Sequence, residues 1–436
     1  MPSYIAIDIG ASSGRHIVLD GSGNLTEVYR FKTGFERVGN SLICDHERLA
    51  ANVIEGIRLA FERFHDITSL AVDTWGVDYV LLEGGTGITP VYSYRDGRTA
   101  AMTGIVHKTV PFEKLYERTG IQFQSFNTLY QLYADKLSGR LGRASDFLML
   151  PEYINYRLTG KKVKEYTNAT TTGLVNVSTR EFDKEIIAAL GLPERLFPRL
   201  HEAGEKVGDL LPEIQNKVGG NLAVRLCLSH DTASAVYGIP FEKGERAPYI
   251  SSGTWSLLGI TEKSAHTDEK SRKANYSNEG GIDRTFRYQK NITGMWAVNR
   301  AAEELGTNAI GFTALAKESD YSFTVDLNHP DFNDPESFVG TIKRKLEKAG
   351  SPALQNAGDI ASCVFHSLAL LYKNALGELE DGVGQSFERL YIVGGGAKNQ
   401  LLNELTEKYT GKKVIALPIE ATALGNLRIQ KEAEEK

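Results

Sequence analysis

An alternating apolar run from Tyr4 to Ile9 has the period of a strand, and GASSG at 10–14 holds too much Gly and Ser to continue it. The strand pattern resumes from Arg15 to Leu19. Gly21-Ser22-Gly23-Asn24 then makes a tight turn before Leu25 to Phe31, so the chain opens with three strands joined by hairpins. Asp45 predicts a helix cap, with the helix reaching about Phe64, because Leu49, Val53, Ile57, Ala60, Phe61 and Phe64 share one helical face. Further strands are expected at Ser69–Asp73 and Val77–Leu82, the second closed by the glycine cluster at 84–87. Helical patterns follow at Tyr130–Leu137, Pro151–Leu158 and Asp183–Ala189. A strand at Val224–Leu228 then runs into Ser229-His230-Asp231. Strands alternating with helices predict an α/β fold, not an all-β one.

Two prolines and a charged stretch, from Ile239-Pro240 to Ala247-Pro248, mark the expected domain boundary. The strand–turn–strand pattern YISSGTWSLLGI at 249–260 echoes residues 4–19, since both set a Ser-Ser-Gly turn between apolar strands. Two domains of similar plan are therefore expected, at 1–243 and 244–436. A third glycine turn, Gly394-Gly395-Gly396, follows the strand Leu390–Val393 and precedes a helix from Asn399. The charged tail EAEEK reads as a frayed helix end.

Composition narrows the function. A chain of 436 residues with 41% hydrophobic and 24% charged residues can bury a large core and is not a disordered segment. Its net charge of −5 supplies no basic field, so nucleic acid and anionic lipid are not expected as partners. No apolar run approaches the roughly 18 residues of a membrane span. The opening MPSYIAIDIG has no basic stretch, and Asp8 breaks its apolar run, so no secretory leader is expected. Cys44, Cys227 and Cys363 lie far apart with no CxxC pair, which fits reduced thiols and a cytoplasmic location.

Four motifs carry candidate chemistry. The turn at Gly10-Ala11-Ser12-Ser13-Gly14-Arg15 is built of small residues, so its backbone N–H groups can converge on phosphate, and Asp8 before it can hold Mg2+ that bridges phosphate oxygens. The same residues also make an ordinary tight turn. Ser251-Ser252-Gly253-Thr254 offers a second such hairpin with a Thr hydroxyl, and Gly394-Gly395-Gly396 clears side chains where a base or ribose could lie. Ser229-His230-Asp231-Thr232 follows an apolar strand, and an Asp there could accept a proton from an attacking hydroxyl in phosphoryl transfer, or simply cap the next helix. Other nucleotide and hydrolase signatures fail: there is no GxxxxGK[ST], no HRD or DFG, and no second His for His46-Glu47.

In this order the hairpin DIGASSGR (8–15), the strand-end SHDT (229–232), the hairpin SSGT (251–254) and the turn VGGGAKN (393–399) resemble the sugar kinases of the FGGY family, within the actin/hexokinase/heat-shock ATPase superfamily. The likeness runs the whole length. DTWGVDYVLL (73–82), YRDGRT (94–99), EYTNATTTGLVN (165–176), NEGGIDRTFRYQKNITGMW (278–296) and EATALGN (420–426) extend it toward the branch that phosphorylates L-rhamnulose at its 1-hydroxyl. The resemblance implies two ribonuclease H-like domains with a nucleotide and sugar cleft, and ATP, Mg2+ and a ketose as ligands. By position it implies that Asp231 is the proton acceptor, with His230, Thr232, Gly76 and Asn291 on the sugar. It implies ATP contacts from Ala11, Ser12, Ser13, Gly14, Arg15, Thr254 and Gly395, and from Asn299, which stands where that branch carries Gln. Kinases for fuculose or xylulose, and a non-catalytic sugar-responsive protein on the same fold, are the competing readings; ADP release on adding a ketose separates the last.

Overall fold

Ser3–Ile9 (β1) is buried at every position, as a strand flanked on both sides must be. The computed structural model describes residues 2–242, 244–332, 335–417 and 420–435. The other strands that bear on the site are β2 (Ser13–Leu19), β3 (Leu25–Lys32), β4 (Ile67–Thr74), β5 (Lys206–Asp209), β6 (Ala223–Arg225), β7 (Tyr249–Ser252), β8 (Trp255–Glu262), β9 (Phe286–Thr293), β10 (Arg389–Val393) and β11 (Lys413–Ala416). The helices are α1 (His46–Arg63), α2 (Asp231–Tyr237), α3 (Met295–Glu304), α4 (Gln400–Thr410) and α5 (Ala421–Glu434). Two compact units emerge. One comprises Met1–Gly238, Glu262–Arg287 and Ala421–Lys436; the other comprises Ile239–Thr261 and Tyr288–Glu420. Each thus draws on separated segments of chain, and position 243, where a boundary was expected, lies outside the described residues.

The first unit holds a sheet in the order β5-β6-β4-β1-β2-β3. β1 pairs antiparallel with β2 and parallel with β4, so Asp8 faces Arg15 on one side and Asp73 on the other. The three opening strands form as the alternation and turns predict. α1 begins where Asp45 accepts a hydrogen bond from the Arg48 amide, and its Leu49, Val53, Ile57 and Ala60 are buried in the core beneath the sheet. The expected strand at Val224–Leu228 is cut to Ala223–Arg225. Between the pairs Arg225–Ala71 and His230–Thr74, four residues of one segment face two of the other, and the surplus bulges out of the ladder. The strand expected from Val77 starts instead at Tyr79, because Val77 adopts φ +67°, which no strand accommodates.

α5 returns to this unit and lies on β1, where Ala423 and Leu427 meet Tyr4, Ala6 and Ile17. Its charged end is not frayed as expected: it is helical to Glu434, whose carboxylate accepts from the Tyr4 hydroxyl at 2.9 Å, and Glu432 accepts from Tyr237. α2 and α5 touch backbone to backbone. A Cβ on Gly425 would stand 1.9 Å from the Ser234 carbonyl oxygen, and one on Gly238 would stand 2.1 Å from that of Ala421.

In the second unit, five strands of a six-stranded sheet run in the order β9-β8-β7-β10-β11, with β7 antiparallel to β8 and parallel to β10, as β1 is to β2 and β4. The hairpin at 252–255 therefore occupies the same topological position as the turn at 10–13. Among the described residues no helix is long and apolar enough to cross a membrane.

The close crossing of α2 and α5 predicts that Gly425→Val lowers the unfolding free energy by about 1–3 kcal/mol through overpacking, read as a shifted urea midpoint. Gly377, which has nothing within 4 Å of an added Cβ, is the control: Gly377→Ala leaves the midpoint unchanged or raises it.

Candidate active site

The loop after β6 is fixed by a buried acid. Ser229 donates from its amide (3.1 Å) and hydroxyl (2.6 Å) to Glu165 Oε2, while its carbonyl accepts from the Thr74 amide (3.0 Å) and from Asn168 Nδ2 (3.1 Å). His230 is then buried, whereas the Asp231 side chain stays 29% exposed at the first position of α2. Asp231 is not the residue that precedes the helix, as a capping reading would have it. Its Oδ1 accepts from the Thr232 amide (2.5 Å) and hydroxyl (3.1 Å), and lies 3.5 Å from His230 Nε2. His230, Asp231 and Thr232 thus form one cluster, with a half-exposed carboxylate held beside an imidazole.

Asp8 stands at the carboxyl end of β1 and its Oδ2 accepts from Arg15 Nε (2.9 Å) and Nη2 (2.7 Å), a two-pronged pair across the hairpin. Beside it Asp73 is fully buried. Its Oδ2 accepts from Asn426 Nδ2 at 2.6 Å, and its Oδ1 has no hydrogen-bond partner. Burial, followed by the negative charge of Asp8, pushes the Asp73 carboxyl well above the usual range, with Asp231 adding to the same effect. Asp73 thus lies within reach of the charge of both. In the turn, Gly10 N–H donates to the Ser13 carbonyl, and Thr33 donates to the carbonyls of Gly10 and Ser12. Ser12 is exposed, Ala11 and Ser13 are half-buried, and Gly14 is buried because any Cβ there would run into the Phe31 ring at 2.2 Å.

Gly76 sits in a turn that no larger residue could share with Thr171, whose methyl would meet a Cβ at 2.8 Å. Val77 beside it is held at positive φ by hydrogen bonds at both ends: its amide donates to Thr171 Oγ1, and its carbonyl accepts from Thr128 Oγ1. Asp78 accepts from Trp75 Nε1 at 2.9 Å, but its burial outweighs that bond and pushes its carboxyl up to about 7.

The remaining expected residues lie in the second unit. The hairpin carbonyls of Gly253 and Thr254 accept the first two amides of α3, from Met295 and Trp296. Asn291 lies on β9 with its Oδ1 buried and unpartnered, and Asn299 is exposed on α3. The triple glycine separates into two roles. Cβ atoms on Gly394 and Gly396 would collide with Ser252 at 2.7 and 1.9 Å, so those two serve packing, and Gly395 alone faces open space.

Sequence reasoning assigned no role to Asp73, Glu165, Glu279 or Arg287. The last two line His230, with Glu279 Oε2 at 3.1 Å and Arg287 Nη2 at 3.0 Å from its Nδ1. All four lie inside the quoted resemblance segments, which is the only signal that could have found them. Among the described residues no three His, Cys, Asp or Glu side chains are grouped to hold a metal ion. A single hard carboxylate such as Asp8 still fits Mg2+, which keeps most of its water and takes other ligands from phosphate.

With that geometry the chain belongs to the FGGY family of carbohydrate kinases: the family's N-terminal domain matches residues 3–238 and its C-terminal domain residues 248–432. Its fold is the mixed α/β two-domain fold of these kinases. Within the family it is similar to a rhamnulokinase of Oceanobacillus iheyensis, 40% identical over 98% of this chain and 92% of the relative, and to one of Halalkalibacterium halodurans, 41% identical over the same shares. Among solved structures it is similar to a ligand-bound xylulose kinase from Lactobacillus acidophilus, with a TM-score of 0.82 and 16% identity over 100% of this chain and 90% of that one. Plasmodium falciparum glycerol kinase with ADP gives a TM-score of 0.77 at 13% identity, over 100% and 90%.

The raised Asp78 carboxyl has a measurable consequence. The folded chain keeps this proton to about pH 7 while the unfolded chain loses it in the ordinary aspartate range, so stability from this group is present at low pH and is lost as pH rises to about 7. Asp78→Asn removes that dependence. The unfolding free energy of the variant relative to the parent rises between pH 5 and 7 and flattens above pH 7, as measured by urea titration at each pH; a difference that does not change with pH contradicts the assignment.

Proposed function

We propose that this enzyme transfers the terminal phosphoryl group of ATP to the 1-hydroxyl of L-rhamnulose, giving L-rhamnulose 1-phosphate and ADP in L-rhamnose catabolism in the cytoplasm. The observation that carries the reading is identity of 37–41% over 98% of this chain to five relatives, each named rhamnulokinase. The position of Asp231 supports it: a carboxylate 29% exposed, anchored through Ser229 and flanked by His230, suits a base that must meet a hydroxyl.

In this reading Asp231 accepts the proton of the sugar's 1-hydroxyl as that oxygen attacks the phosphorus in line and the bond to the ADP oxygen breaks. His230, Thr232, Gly76 and Asn291 contact the sugar; the unpartnered Asn291 Oδ1 is an acceptor for a sugar hydroxyl. The backbone of Ala11 to Gly14, together with Arg15 and Thr254, contacts the phosphates, and Gly395 and Asn299 contact the nucleoside. Arg15 would exchange part of its pairing with Asp8 for a phosphate oxygen, which frees Asp8 for Mg2+. Asp8 would hold the Mg2+, which would supply positive charge against that of the phosphates. The loose transition state asks little covalent work of the protein, so positioning and charge stabilisation supply the rate.

A coupled ADP assay against L-rhamnulose, L-fuculose, D-xylulose and the matching polyols tests the substrate. L-rhamnulose gives the highest kcat/KM by a wide margin, and an equal response across the panel contradicts the assignment. Asp231→Asn lowers kcat by about 10²–10⁴-fold, the usual cost of losing a general base. Its affinity for an ATP analogue, measured by calorimetry, stays within about twofold.

A further inference from the structure

Arg287 is 1% exposed, and a guanidinium buried to that depth needs a purpose as well as a counter-ion. Its Nε donates to the Gly280 carbonyl at 3.1 Å, and its Nη2 donates to Glu279 Oε2 at 3.0 Å. The same Nη2 stands 3.0 Å from His230 Nδ1, which lies 3.1 Å from Glu279 Oε2. Three polar atoms therefore form a triangle with sides of about 3 Å. Nη2 carries two hydrogens, one for each of its neighbours.

The direction of the hydrogen bond follows from the chemistry of the partners. A guanidinium offers only donors and keeps its charge in proteins, so the contact with Nδ1 is attractive only if Nδ1 supplies a lone pair. A proton on Nδ1 would place two N–H groups head to head at 3.0 Å. The imidazole proton belongs on Nε2, the nitrogen 3.5 Å from Asp231 Oδ1.

We infer that Arg287 and Glu279 are positioning residues that hold His230 as the Nε2–H tautomer, giving the bound sugar a fixed donor at His230 next to a fixed acceptor at Asp231. The arrangement divides the work. An unprotonated Nε2 would compete with Asp231 for the proton of the reacting hydroxyl, whereas Nε2–H can only donate, to a sugar oxygen near the reacting one. Glu279 keeps Arg287 oriented and balances its charge, and the Gly280 carbonyl fixes the third direction of the guanidinium. The kinetic part of this inference rests on the sugar-kinase reading; the tautomer does not.

The test is long-range 1H–15N NMR of the full-length protein with 15N-labelled histidine, with His230 assigned by the loss of its signals in His230→Gln. The parent protein shows the proton on Nε2; a proton on Nδ1 overturns the inference. Arg287→Met removes the donor, so Nδ1 becomes protonated toward Glu279, and kcat/KM for L-rhamnulose falls about 10²-fold, the scale of a misaligned contact. Affinity for an ATP analogue stays within about twofold. Arg287→Met combined with Glu279→Gln gives Nδ1 a new amide donor in place of the carboxylate, restoring the Nε2–H tautomer and part of the rate, and it remains informative where the single variant does not fold. An Arg287→Met protein that folds and keeps the parent's tautomer or sugar kinetics overturns the inference. A parent protein that ignores L-rhamnulose yet shows Nε2–H refutes the proposed substrate and leaves the tautomer standing.

Discussion

A single buried carboxylate holds in place the loop that carries His230 and Asp231. Glu165 accepts from the amide and hydroxyl of Thr167, the amide of Asn168, and the amide and hydroxyl of Ser229, joining two segments more than sixty residues apart in the chain. Hydrogen bonds to an ionised acceptor are about twice as strong as neutral ones, and a buried carboxylate is tolerable only when its lone pairs are filled. Removing it would strand five donors. The amide of Glu165 in turn donates to Glu152 Oε1, which ties the anchor to a second buried acid. His230 and Asp231 inherit their position from this network rather than from the short helix they begin.

Close backbone approach is the second constraint. The glycines at 76, 238, 394, 396 and 425 all sit where a Cβ would strike a neighbour at under 3 Å. Three of them, at 238, 394 and 425, let one backbone segment lie directly against another, and Gly396 lies against the Ser252 side chain. Gly395 differs because open space lies before it, and it is the position where a nucleoside contact is expected. Packing density thus decides which small residues are available for binding.

The parts of the fold that were legible in the sequence are those specified locally. The opening strands carry their own period and turns, and α1 carries both its cap and its buried face, so neither needs a partner to be read. The early end of β6 was not legible: the bulge at 226–229 arises from pairing with β4, some 150 residues earlier. The late start of the strand at Tyr79 was hidden because nothing in Val77 announces a positive φ imposed by Thr128 and Thr171. Asp231, His230 and the glycine turns could be marked because small residues and a strand-end acid are a recognisable pattern. Asp73, Glu165, Glu279 and Arg287 could not be marked, since a charged residue in a sequence looks the same whether it faces water or is buried against a partner 57 residues away, as Arg287 is against His230.

The proposed chemistry requires Asp231 to meet the reacting hydroxyl. A crystal structure of the protein with L-rhamnulose and a non-hydrolysable ATP analogue tests it most directly. The expected result is an Asp231 carboxylate oxygen about 2.6–3.2 Å from the sugar's 1-oxygen, with that oxygen in line with the terminal phosphorus. A sugar whose 1-oxygen is hydrogen-bonded to another group, with Asp231 out of reach, would contradict it.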